Sequence, residues 1–260
     1  MYFSLSNKFF GLRLAIVSDI HEDTLSLKKV ISKIEKAGYD QLICLGDISG
    51  FSVDFYRYKK SRNAHDCLSL LREKDFLIVP GNHDFFAARR IPEESDIFNF
   101  PSNWYNLEKS ERAELAGGKI WLHEEDDLDP LYTLEDISYL NSLPEYHVLD
   151  GGDSKLLLSH YIYPNLSGFQ KEFYTTASEF KAHLGFMESQ DCKVSFTGHT
   201  HFRGFYEVSG GQFRQHRYKG FNLKSFPICI GVPPVTRHKR RSGFSMFDTE
   251  NARLQTIRCW

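Results

Sequence analysis

Short apolar runs, each closed by polar residues and separated by stretches of helical spacing, fill the first third of the chain. Leu12-Arg13-Leu14-Ala15-Ile16-Val17 has the length of a buried strand and stops at Ser18-Asp19. Leu27, Val30, Ile31, Ile34 and Ala37 then recur at helical spacing, with Asp23 or Thr24 as N-cap and Gly38 as a stop. Leu42-Ile43-Cys44-Leu45 reads as a second strand, ended by Gly46-Asp47. Asn63 to Lys74 reads as a helix with Cys67, Leu68 and Leu71 inward. Phe76-Leu77-Ile78-Val79 follows as a third strand, ended by Pro80-Gly81-Asn82-His83-Asp84. Strand, helix, strand, helix, strand predicts parallel crossover units in a layered α/β fold.

Residues 85–154 lose that rhythm. Phe85 to Arg90 begins a helix, but Pro92, Glu93-Glu94 and Pro101 break the periodicity. Lys119 to His123 is strand-like and runs into the acidic loop Glu124-Glu125-Asp126-Asp127, which reads as solvated; Ser138 to Leu143 is a short helix. We expect one domain over residues 1–260, with a cap or insertion at about 85–154 that has no core of its own. Strand patterns return at Lys155–Leu158 and Lys193–Thr197, around an amphipathic helix marked by Phe180, Leu184 and Met187. Gly204–Val208, Gln212–Tyr218, Phe226–Ile230, Gly243–Phe247 and Leu254–Ile257 predict antiparallel strands of a second sheet.

The strands end in an unusual set of side chains. In open α/β sheets ligands bind at the carboxyl ends of the strands, so residues distant in sequence converge there. One Asp or Asn at a strand end is ordinary turn chemistry. Successive ends carrying Asp-x-His, Gly-Asp and Gly-Asn-His-Asp are not. Asp19, Asp47, Asn82, His21, His160, His199 and His201 form a nitrogen and oxygen donor set without thiolate. Such a set suits Mn²⁺, Fe, Zn²⁺, Ni²⁺ or Co²⁺ better than Cu(I), Mg²⁺ or Ca²⁺. Seven donors exceed the needs of one open catalytic ion and match two, and two ions suit phosphate-ester hydrolysis.

Composition narrows the setting. With 41% apolar and 25% charged residues the chain is neither disordered nor a coiled-coil rod. A net charge of −2 supplies no basic field, so nucleic acid is not indicated as a partner. No apolar run approaches the ~20 residues of a membrane span. Met1-Tyr2-Phe3-Ser4-Leu5-Ser6-Asn7-Lys8 lacks the pattern of a secretory signal, and a cytoplasmic protein without membrane contact is expected. Cys44, Cys67, Cys192, Cys229 and Cys259 show no C-x-x-C spacing, and we expect buried thiols. His65, His123, His147, His183, His216 and His238 read as surface or packed histidines. Phe85, Phe86 and Tyr161 read as core, and Arg237-His238-Lys239-Arg240-Arg241 as a charged hairpin tip.

Asp19-Ile20-His21, Gly46-Asp47, Gly81-Asn82-His83-Asp84, Ser159-His160 and Gly198-His199-Thr200-His201 together resemble the ordered motif set of calcineurin-like metallophosphoesterases. The segment Ile228–Phe247 further resembles small bacterial phosphodiesterases and the diadenosine-tetraphosphatase-like group. The resemblance implies a four-layer α/β/β/α sandwich of two mixed sheets flanked by helices. It implies two divalent transition-metal ions, manganese foremost. Asp19, His21, Asp47 and His201 would hold one; Asp47, Asn82, His160 and His199 the other. Hydrolysis would proceed by in-line attack of a hydroxide held between the ions. His83 would meet the substrate phosphate and the leaving oxygen, with Asp84 orienting its imidazole. Arg89 and Arg90, just after that motif, are candidate substrate contacts.

The substrate class implied is a phosphate ester, above all a phosphodiester of a small molecule or nucleotide. A phosphomonoesterase, a protein phosphatase and a non-catalytic assembly scaffold of the same fold are the alternatives. No Asp-Arg-Gly follows Gly46-Asp47, which argues against the phosphoprotein phosphatases. Glu22-Asp23 stands where many relatives carry Gly-Asn, Tyr161 where Gly is usual, and Cys229-Ile230-Gly231-Val232 where Asn-Pro-Gly-Ser is frequent.

Overall fold

The computed structural model describes residues 11–93, 98–152, 154–238 and 242–260. The N-terminal segment Met1 to Lys8 and Lys239 to Arg241 of the basic run lie outside them. The first half supplies β1 (Arg13–Val17), α1 (Thr24–Ala37), β2 (Gln41–Cys44), β3 (Phe51–Ser52), α2 (Ala64–Glu73), β4 (Leu77–Ile78) and α3 (Asn82–Ala87). Next come α4 (Lys109–Ala116), β5 (Asp127–Leu128), α5 (Leu134–Ser142), β6 (Tyr146–Asp150), β7 (Lys155–Ser159), α6 (Lys181–Ser189) and β8 (Cys192–Thr197). The remainder is β9 (Phe205–Ser209), β10 (Gln212–His216), β11 (Gly220–Asn222), β12 (Ile228–Gly231), β13 (Gly243–Asp248) and β14 (Arg253–Arg258). Among the described residues no helix is long and apolar enough to cross a membrane.

Strand alternation builds the layers. Leu14 and Ile16 of β1 point to one side with Ile43, Leu156, Leu158, Val194, Phe196 and Ile230, filling the space between two sheets. Ala15 and Val17 point the other way, onto Leu27, Val30 and Ile34 of α1 and Leu68 and Leu71 of α2. On the far sheet, Leu157 and Cys192 pack against Met187 of α6. The result is the four-layer sandwich of two mixed sheets flanked by helices. Asp23 caps α1, its carboxylate accepting from the Ser26 N–H at 3.1 Å, as the sequence indicates. All five cysteines are buried and free.

The late strands correct one expectation. They divide between the sheets, ordered β11-β14-β13-β1-β2-β4 and β10-β9-β12-β8-β7-β6. β13 lies antiparallel to β1, with Leu14 opposite Phe247, and β12 lies parallel to β8, with Ile230 opposite Phe196. Apolar alternation fixes which faces of a strand are buried, not which neighbour it pairs with. Within residues 85–154, α5 joins the helix layer through Leu140, and β6 is an edge strand beside β7. Residues between them and α3 gather around Trp104, Ala116 and Ile120, with Phe100 bridging Trp104 (5.3 Å between centroids) and Phe169 (5.5 Å). β5 pairs with β3, setting Asp127 opposite Ser52.

His183 packs as expected of a core histidine. It accepts from the Tyr163 N–H at 3.0 Å and meets Ser195 Oγ at 2.9 Å. Burial pushes its imidazole down to about 3, whereas an unfolded histidine titrates near ~6.5. Between those values the unfolded chain holds a proton that the folded chain does not. Its contribution to stability is therefore complete above pH ~6.5 and is lost as pH falls toward 3. Denaturant unfolding across pH 4–7 should show His183→Gln losing a slope of up to ~1.4 kcal/mol per pH unit relative to the parent chain. Parallel slopes for the two proteins would refute the assignment.

Candidate active site

β1, β2 and β4 run parallel, with Val17 opposite Cys44 and Cys44 opposite Ile78, so their carboxyl ends lie at one edge. Asp19, His21, Asp47 and Asn82 follow those ends directly. β7 and β8, also parallel, bring His160 and the Gly198–His201 turn to the same edge of the second sheet. The backbone there is strained: Asp19, His21, Asp47, His199 and His201 all have left-handed φ, between 47° and 66°. Non-glycine residues in that region carry a cost of order 1–3 kcal/mol each and concentrate at functional sites. Hydrogen bonds hold the turns in place. The Asp19 and Ile20 N–H groups donate to Gly46 and Asp47 carbonyls, and the Thr236 N–H donates to the Asp19 carbonyl at 3.1 Å.

The seven sequence-predicted donors converge. Asp19, His21 and His201 form one group and Asp47, His160 and His199 another, their donor atoms within 4.8 Å of one another in each. The Asp47 carboxylate stands between the groups, with Oδ2 3.2 Å from His160 Nε2 and 3.9 Å from His21 Nε2. His201 Nε2 lies 3.2 Å from Asp19 Oδ1. Backbone carbonyls orient the rings from behind: Gly50 O faces His21 Nδ1 at 2.8 Å, and Leu45 O faces His160 Nδ1 at 2.6 Å. Burial alone would favour neutral imidazoles, and it takes His21 and His199 down to about 3. At His160 the same burial is outweighed by the Asp47 carboxylate, which holds the imidazole up at about 9. Burial would raise the carboxyl of Asp47, but His160 and His83 hold it well below its usual range.

Two polar atoms in this cluster, Asn82 Oδ1 and His199 Nε2, are buried with no hydrogen-bond partner among the described residues. A buried lone pair left without a donor costs roughly 1–3 kcal/mol, unless another group completes it. Gly168, at φ +79°, permits this approach: a Cβ there would meet His199 Nδ1 at 2.7 Å and Asn82 Oδ1 at 3.0 Å. The buried donor set, unpartnered atoms included, fits divalent metal.

His83 lies 5.0 Å from His21 between ring centroids, but its partner is not Asp84. Its Nδ1 meets Asp127 Oδ2 at 2.5 Å. Asp84 instead accepts from the Ile48, Ser49 and Gly81 N–H groups and from Ser49 Oγ, bracing the loop that follows Asp47. The physical reason is helical geometry: adjacent residues in α3 project about 100° apart and do not face each other. Burial opposes charge on His83, but Asp127 and Asp47 outweigh it and raise the imidazole to about 9.

The acidic loop is correspondingly not solvated as a whole. Asp127 is 6% exposed at its side chain, and His123 is buried with its Nε2 3.1 Å from Asn82 Nδ2 and its ring 4.2 Å from that of His83. Periodicity gave neither residue away; the density of His, Glu and Asp in so short a segment was the available signal. Arg90 donates to the Leu143 carbonyl at 2.5 Å and lies over the Phe85 ring, away from the cluster. Arg89 is exposed and lines a cavity that opens beside His83. Tyr161 is buried against His199, and Phe85 is core. Arg237 is ion-paired with Asp23 at 2.8 Å.

A family model for calcineurin-like phosphoesterases matches residues 12–203, most of the chain and every motif at the sheet edge. The chain belongs to that family. The family is one of phosphoesterases, and the donor set at the sheet edge is of the kind that holds divalent metal. A metallophosphoesterase from Sphaerobacter thermophilus shares its fold, with a TM-score of 0.64 at 19% identity over 95% of this chain and 88% of that one. The hypothetical protein PH1004 of Pyrococcus horikoshii OT3 aligns with a TM-score of 0.57 at 15% identity, over 95% and 87%. The uncharacterized protein MJ0912 of Methanocaldococcus jannaschii is 34% identical over 86 residues, 33% of this chain and 31% of that protein. The aligned stretch thus spans under a third of that relative's length.

Proposed function

We propose that the protein is a phosphodiesterase acting on small organic or nucleotide phosphodiesters through a centre of two divalent ions. The observation that carries this reading is the place of Asp47, one carboxylate within reach of both donor groups. Asp19, His21, Asp47 and His201 would hold one ion, and Asp47, Asn82, His160 and His199 the other. Two such ions polarise the phosphoryl group and lower the pKa of water at neutral pH. The chain's own residues supply the rest. His83 donates a proton to the departing oxygen, and Asp127, seated on Nδ1, leaves Nε2 as the donating end. Asp84 fixes the Ile48–Ser49 backbone and thereby the approach of Asp47. The segment around Trp104 acts as a cap on a single domain, delivering Asp127 and His123 over the sheet edge.

Metal-stripped protein reloaded with Mn²⁺ should bind about two ions per chain and cleave bis(p-nitrophenyl) phosphate faster than p-nitrophenyl phosphate. Saturation at one ion would remove the shared-carboxylate centre. Faster cleavage of the monoester would favour the phosphomonoesterase. Two bound ions with no turnover on either ester would point to an assembly scaffold.

A further inference from the structure

The cavity beside His83 has a volume of about 390 Å³, within the range of small-molecule sites, and the cap residues form its other walls. Its lining includes His83, Phe86, Arg89, Tyr105, Arg112 and Asp127. Because Asp127 occupies Nδ1 of His83, the free end of the acid is Nε2. His83 is itself one wall of this cavity, so a leaving group that meets its imidazole lies against the same space. The charges around it are mostly matched. Arg112 is paired with Glu124, Asp127 with His83, and the exposed Asp129 turns Oδ1 to the Leu131 N–H. The Arg89 side chain has no hydrogen bond or ion pair to another described residue. Its backbone, at φ 51° with the N–H donated to Phe86 O at 3.1 Å, leaves the helical path just after α3. Phe86 and Tyr105 offer apolar ring surface in the same space.

Resting on the phosphodiesterase reading, we propose that this cavity receives the leaving half of the substrate. Arg89 selects leaving groups that carry their own negative charge, a second phosphate or a carboxylate. The guanidinium matches either anion through paired N–H donors. Selection arises from binding the leaving group and leaves the cleavage chemistry to the sheet-edge residues. Bond making and breaking are those of ordinary ester hydrolysis: water adds to phosphorus, and the leaving oxygen takes a proton.

The test uses the full-length, Mn²⁺-loaded protein and two diesters with the same retained phenyl group. One has 4-nitrophenol as leaving group and the other a 4-nitrophenol with a ring carboxylate. The readout is the ratio of kcat/KM for the carboxylated over the plain substrate. Arg89→Ala should lower that ratio by about tenfold or more, the scale of one lost charge-assisted hydrogen bond, and Arg89→Lys should keep part of it. Added salt should erode the ratio in the parent chain more than in Arg89→Ala. An unchanged ratio, including an equal loss on both substrates, would overturn the role of Arg89. A parent chain that cleaves neither diester would instead overturn the phosphodiesterase reading itself.

Discussion

Asp47→Asn should abolish measurable turnover, with a loss on the order of 10³-fold or more, while Asp19→Asn at matched metal occupancy loses less. Asp47 Oδ2 faces His160 at 3.2 Å and His21 at 3.9 Å, and Oδ1 accepts the His83 N–H at 3.0 Å. Among the described residues Asp47 groups with His160 and His199 and also with His21 and His83. An amide in its place keeps the volume and the bond from His83 but removes the negative charge that draws the two groups together. Metal analysis beside steady-state kinetics checks the claim: Asp47→Asn should bind fewer ions than Asp19→Asn at the same free Mn²⁺. Equal residual activity at equal occupancy would show that Asp47 is not shared.

His83→Ala should keep the fold and the bound metal while losing about 10²–10⁴-fold in turnover, the range of general acid catalysis. The loss should be smaller for nitrophenyl esters, whose leaving groups depart unaided, than for alkyl or nucleoside esters. Asp127→Asn should fall in the same direction with the same dependence on leaving group, by roughly 10–100-fold. Asp84→Asn should behave differently. It weakens hydrogen bonds to Ile48, Ser49 and Gly81, so metal affinity and thermal stability should drop without any leaving-group trend. The pair of aspartates thus separates a residue that orients the acid from one that braces a loop. A leaving-group trend in Asp84→Asn and none in Asp127→Asn would restore the pairing expected from sequence.

That contrast shows where the sequence is legible. Asp19, Asp47, Asn82, His160 and His199 could be found because each closes an apolar run at the same end of a parallel strand, which makes position along the chain a proxy for position in space. The partner of His83 could not be found that way. Asp127 sits on a strand of two residues, too short for any period, and reaches His83 only through the pairing of Ser52 with Asp127. His123 precedes four acidic residues that read as a solvated loop, although the fold turns it inward against Asn82. Phe244 and Phe247 announce a buried strand at β13, yet nothing in their spacing says that it lies beside β1 rather than in the other sheet.

The placement of β13 also bears on how the chain assembles during synthesis. β1 emerges from the ribosome well before β13, one of its two neighbours, which lies more than two hundred residues downstream, with Arg13 opposite Asp248. The Val235 N–H, which donates to Ser18 O at 2.8 Å beside the first aspartate, arrives nearly as late. Closing so long a loop is slow, and until it closes the apolar edge of β1 is open to pairing with other chains. The nascent protein therefore depends on that edge staying shielded until β13 is made. A chain stopped before residue 243 would keep all of the metal-binding motifs yet leave the strand before Asp19 unpaired on one side.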